Sequence, residues 1–194
     1  VTDGGDRIDV DTGPLQFTVA KDRFAPLTAV RLNGVSMLAG PVTSFFDVDG
    51  KRIDPQAPTS VKVTEPGPLR TRIEVRGRYA AGFEYVVRID AFAKQPFVRV
   101  LYTFEQHDPE PYTLVRQLAI VLPLTFASPA SYTAGREKGT PVAGSLPDAG
   151  VTLLQEDNET LRIGAERYAE HAAGWIDVHD ASHGVALASR FFWQ

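Results

Sequence analysis

The chain has 194 residues, with 20 Lys and Arg against 24 Asp and Glu, a formal net charge of −4 that offers no electrostatic footprint for a phosphate backbone and so excludes nucleic acid as an expected partner. It has no cysteine, which removes disulfides, thiolate nucleophiles and sulfur-ligated metal centres. The longest apolar runs, such as Leu118 to Leu122, fall far short of the ~20 residues that cross a bilayer as a helix, and no signal-peptide pattern opens the sequence.

In chain order, Leu15 to Val19, Leu27 to Leu32 and Phe45 to Val48 are short β-rich runs. Gly13-Pro14, Asn33-Gly34, Gly40-Pro41 and Asp49-Gly50 punctuate them. Asn-Gly and Asp-Gly tolerate positive φ and predict hairpin turns. Asp47-Val48-Asp49-Gly50 has the outline of a calcium loop but lacks further ligands at regular spacing, so a turn is expected there. From Leu69 to Arg78, apolar Leu69, Thr71, Ile73 and Val75 alternate with Arg70, Arg72, Glu74 and Arg76, a two-residue period with one dry and one charged face. The period resumes over Phe83 to Ala91 and again over Phe97 to Glu105, predicting a three-strand meander. Val115 to Leu124, Val151 to Leu154, Thr160 to Ile163, Trp175 to Val178 and Gly184 to Phe192 continue the series, with Pro129 to Gly150 read as a loop and Ala165 to Ala173 as the one stretch that admits a helical turn. The expectation is an all-β fold: one large antiparallel β-sandwich over residues 1–194, of about a dozen strands. At this length such a fold buries roughly 70% of its unfolded surface and needs no staple or metal.

The residues that can carry chemistry are few. Glu105 to Glu110 leaves a strand end with three carboxylates, His107 and a proline, followed by Tyr112 and Arg116. A base paired with a cation is what proton abstraction beside a carboxylate requires. His107, Asp108, Glu110, Tyr112 and Arg116 are therefore candidate sugar contacts, although acidic loops between strands are also ordinary. His179 and His183 lie four apart beside Asp177 and Asp180; between strands and before Gly184 they predict a polar hairpin turn and no metal site. Gly135-Arg-Glu-Lys-Gly139 lacks the strand-then-helix setting of a phosphate loop. Trp175 and Trp193, the two tryptophans, can stack on sugar rings or pack in a core. Phe191-Phe192-Trp193 cannot all point inward from one strand, so one ring is expected to face a neighbour, and Trp193 and Gln194 join the candidates.

Ile8 to Leu15, Val63-Thr-Glu-Pro-Gly-Pro-Leu-Arg70, Gly174-Trp-Ile-Asp177 and Arg190-Phe-Phe-Trp-Gln194 resemble, in order and spacing, the central β-sandwich of the exo-rhamnogalacturonan lyase and YetA-like family. The Glu-Pro-Gly-Pro-Leu-Arg entry is also similar to the large supersandwich domains of galactose-mutarotase-like sugar enzymes. The resemblance implies a domain cut from a longer three-part enzyme, between a small barrel and an α/α toroid, that degrades pectin by β-elimination outside the cell or in the periplasm. It implies an acidic plant polysaccharide and the adjacent domains as partners, and no cofactor. No catalytic residue maps onto this sequence, so most of the machinery is expected elsewhere. A free-standing carbohydrate-binding module and a mutarotase-like epimerase remain the alternatives.

Overall fold

The computed structural model describes residues 1–80, 82–107, 113–127, 129–190 and 192. Among them there are strands, turns and no helix. The all-β antiparallel expectation is met, and the chain divides into two compact units, Val1–Thr125 and Phe126–Gln194.

In the first unit, β1 (Thr2–Asp3), β2 (Arg7–Asp11), β3 (Leu15–Ala20), β4 (Thr28–Leu32) and β5 (Val35–Ser36) form one sheet in sequential order. β6 (Thr43–Val48) and β7 (Lys51–Ile53) join β12 (Val115–Val121) in a second, ordered β12-β6-β7. β8 (Ser60–Glu65), β9 (Arg70–Arg78), β10 (Phe83–Phe92) and β11 (Val98–Gln106) make the third, ordered β11-β10-β9-β8. The two-residue turns fall where the sequence places them. Asn33 and Gly34 both take positive φ, 48° and 84°, between paired Leu32 and Val35. Asp49 and Gly50 do the same at 51° and 78° between Val48 and Lys51, and the Asp47 carboxylate accepts the Gly50 N–H at 2.8 Å, which accounts for the acidic pattern as a hairpin.

Alternation decides what these sheets bury. Ile8, Phe17 and Val19 from the first sheet, Phe46 from the second, and Ile73, Val75, Phe83, Tyr85, Val87 and Ile89 from the third close one core. Phe46 stacks on Phe83 at 4.9 Å and meets Tyr79 edge-on at 4.7 Å. At this end Ser44 Oγ lies 2.5 Å from Tyr79 Oη, Tyr79 bonds Tyr102, and Tyr85 donates to the Gln56 carbonyl at 3.0 Å. The hydroxyls of Ser44, Tyr79, Tyr85 and Tyr102 are thus satisfied, as burial demands.

The second unit has its own core. β13 (Ser131–Arg136), β14 (Val142–Ser145), β18 (Ala172–His179) and β19 (Gly184–Ala188) form a sheet ordered β14-β13-β18-β19. β15 (Leu153–Gln155), β16 (Leu161–Ile163) and β17 (Glu166–Tyr168) form a small meander. Ala134, Leu161, Ile163 and Ala172 are buried between the two, with Tyr132, Tyr168, Ile176 and Phe192 packed around them.

Four expectations change. There are nineteen strands among the described residues rather than about a dozen, several only two or three residues long. The stretch 129–150 is no loop: β13 and β14 run through it as a hairpin. Residues 165–173 form β17 and the start of β18 rather than a helical turn, and the last strand stops at Ala188, not Phe192. The buried residues gather in two clusters, one in each unit. Alternation reveals which face of a strand is dry, but not which strands share the space behind it.

Candidate functional site

The polar face of the β8–β11 sheet is a lattice of ion pairs built by strand register. On β9, Arg70, Arg72, Glu74, Arg76 and Arg78 project together because same-face residues recur every second position, about 7 Å apart. Pairing sets Glu84 opposite Arg78, Arg88 opposite Glu74, Asp90 opposite Arg72 and Arg99, and Glu105 opposite Glu84. On β8, Lys62 lies opposite Glu74 and Glu65 opposite Arg72.

Each inner carboxylate holds two guanidiniums. Asp90, whose side chain is fully buried, accepts from Arg72 Nε at 2.7 Å and from Arg99 Nη2 at 2.6 Å. Glu74 accepts from Arg76 Nε at 2.6 Å and Arg88 Nε at 2.9 Å. Glu65 accepts from Arg72 Nη1 at 2.8 Å and also pairs with Arg70. Burial pushes the Asp90 carboxyl up, and the hydrogen bonds and charges of Arg72 and Arg99 more than offset it, so its pKa lies below the ordinary value. The Glu74 carboxyl is lowered too, first by its hydrogen bond from Arg76. Both stay ionised at neutral pH and keep the arginines in fixed orientations.

Seven cations and five carboxylates share this face, while the whole chain is acidic. The outer side chains remain in water: Arg78 is 66% exposed, Arg99 55% and Arg76 50%. A guanidinium has five N–H donors and spends one or two of them on each of these pairs, so donors remain for a further carboxylate.

At one end of the face, His107 Nε2 lies 3.5 Å from Glu105 and 3.8 Å from Glu84, and Glu84 also pairs with Arg78 at 3.0 Å. Glu84, Glu105 and His107 offer ligand atoms within 4.8 Å of one another, a triad able to approach a divalent cation, although Arg78 already supplies positive charge there. Arg116 lies on a different sheet, exposed at the β-bulge of β12 and beside the Gly50 turn. Asp108, Glu110, Tyr112, Trp193 and Gln194 fall outside the described residues.

Trp175, in the second unit, is half-buried, with its indole lying against the backbone of Gly135, so one ring face is already used. The His179/His183 segment is the polar turn expected. The Asp180 carboxylate accepts the N–H groups of Ala127, Ser182 and His183 and the Ser182 hydroxyl, bonds that hold its pKa far below the ordinary range, the Ser182 hydroxyl foremost. Asp177 pairs with His179 at 2.6 Å.

An open concavity of about 360 Å³ lies over β2 and β3, lined by Asp9, Asp11, Gln16, Thr18 and Arg31 among others. The Asp9 carboxyl is lowered by the Thr18 hydroxyl and Arg7, and Asp11 by the Gly13 N–H and Gln16. Two ionised carboxylates supply no general acid and repel an acidic sugar. The arginine face is the site that sequence reasoning missed. Its signal was present in the alternation of β9, but which carboxylates orient which arginines depends on pairing with β10 and β11.

No protein-family model and no curated protein matches the chain.

Proposed function

We propose that this chain is a non-catalytic β-sandwich segment of a polysaccharide lyase that degrades rhamnogalacturonan, and that its arginine face grips the uronate groups of the polymer. The observation that carries the reading is the lattice on β8–β11, where Asp90 and Glu74 each orient two arginines and leave outward donors for carboxylates. The sequence resemblance supplies the polymer's identity and the division of labour. β-Elimination needs a base aligned with a group that neutralises the substrate carboxylate, and on this face the inner carboxylates Asp90 and Glu74 are each held by two arginines, while the His107 triad lies at its rim.

Affinity electrophoresis tests the reading. The chain should be retarded by rhamnogalacturonan and by de-esterified galacturonan, and not by a neutral galactan, and it should generate no unsaturated-uronate absorbance. Equal migration in all gels removes the binding claim, and uronate absorbance from the chain alone removes the non-catalytic one.

A second reading, a mutarotase-like epimerase, draws on His107 with Glu84 and Glu105 gathered within 4.8 Å. Anomer exchange of an aldose, followed by NMR and lost in His107→Ala, would favour it.

A further inference from the structure

β11 is an edge strand. It pairs with β10 at nine consecutive positions without a bulge, and among the described residues no strand pairs with its other side. Free edges are ordinarily blunted by bulges, proline or lysine. β11 contains neither proline nor lysine, and Val100, Leu101 and Phe104 are each at least 40% exposed. The layer beneath ends the same way. Pro55 bridges Tyr79, which places the β7 side of that sheet toward β9 and leaves β12 on the β11 side, where Ile120 and Val121 are exposed.

We propose that β11 pairs antiparallel with β11 of a second copy of this chain, about a two-fold axis through Tyr102, to make one eight-stranded sheet. The strand is chemically self-complementary about that point. Arg99 falls opposite Glu105 of the second copy, Val100 opposite Phe104 and Leu101 opposite Thr103, so each charge meets its opposite twice and apolar rings meet apolar chains. A two-fold axis normal to the sheet requires paired residues to share a face, so the alternative registers slip by two. One sets Arg99 against Thr103, and the other sets Leu101 against Glu105, with Arg99 against His107. Arg99 commits Nε and Nη2 to Asp90 and keeps Nη1 for the new pair. The dimer joins two arginine faces into one, extending the anion-binding surface across both copies, and isologous closure prevents further growth from this edge.

Sedimentation and register-specific cross-linking test the assignment. The chain should sediment as a monomer–dimer equilibrium, and Glu105→Arg, which sets two arginines against each other at a position 54% exposed, should shift it to monomer without changing the circular dichroism spectrum. Because the chain has no cysteine, Leu101→Cys and Thr103→Cys give a clean readout. A mixture of the two single variants should oxidise to a disulfide-linked dimer, while each variant alone should cross-link several-fold less. A wild-type chain that stays monomeric at every concentration overturns the proposal and leaves the edge to a different strand. A dimer insensitive to Glu105→Arg, or one whose cross-links form equally in the separate variants, overturns the interface.

Discussion

Gly135→Ala is the substitution through which the packing of Trp175 is most sharply tested. A Cβ built on Gly135 would lie 2.2 Å from the indole Nε1, 2.4 Å from Cε2 and 2.7 Å from Cδ1, far inside van der Waals contact, so the ring must leave its seat. Trp175 is half-buried; if its covered half is about 100 Å², expulsion costs about 2.5 kcal/mol at ~25 cal/mol per Å². That agrees with the roughly 1–3 kcal/mol typical of overpacking. Thermal unfolding should move down by about 4–8 °C for a loss near 2 kcal/mol in a chain of this length, and tryptophan emission should shift red as the ring enters water. The double variant Gly135→Ala/Trp175→Ala discriminates. With the ring gone the clash is gone, and alanine at an ordinary backbone angle restricts the unfolded chain, so Gly135→Ala in that background should be neutral or stabilising by about 0.4–1 kcal/mol. An equal loss in both backgrounds would refute the contact.

Phe46→Ala, which empties the fully buried centre of the first core, should cost about 3–5 kcal/mol in urea unfolding; a loss under about 1 kcal/mol would mean the two layers do not meet there. Asp90 has a lowered pKa in the fold, so its contribution is present above the ordinary carboxylate pKa and is lost as pH falls through the lower folded value. Asp90→Asn should therefore flatten the acid limb of a stability–pH curve, and parallel curves would contradict the Arg72–Asp90–Arg99 arrangement. Burial raises the pKa of Tyr79, Tyr85 and Tyr102. Their contribution is complete below the ordinary phenol value of 10 and fades as pH climbs through the raised values, so ultraviolet titration should find these three tyrosines protonated while the native fold persists. A chelator should leave the melting temperature unchanged, because no core contact depends on the Glu84, Glu105 and His107 triad; a marked drop would make that triad a structural cation site.

The sequence was most legible where a strand is long and one of its faces is wet. β9, β10 and β11 were readable from alternation alone, and Asn33-Gly34 and Asp49-Gly50 fixed two hairpins because positive φ is a local property. β13 and β14 were not readable: Gly135, Gly139 and Gly144 interrupt any apolar period, and although the two pair locally as a hairpin, the second partner of β13 lies some 40 residues away in β18. The seat of Trp175 was illegible for the same reason, since it requires knowing that Gly135 faces it across a bulge between Ala134 and Arg136. The arginine face was half legible: its charges alternate in plain view, but Asp90 becomes an organising group only when register sets it between Arg72 and Arg99.

The most direct test of the account is calorimetric titration of the chain with a rhamnogalacturonan oligosaccharide, beside the double variant Arg76→Ala/Arg78→Ala, whose side chains are among the most exposed of the face. The native chain should bind in a salt-sensitive manner, and the variant about tenfold or more weakly, consistent with about 1.4 kcal/mol or more lost with two charge-assisted contacts. Binding that is unaltered in the variant, or equally strong for a neutral galactan, would contradict the account.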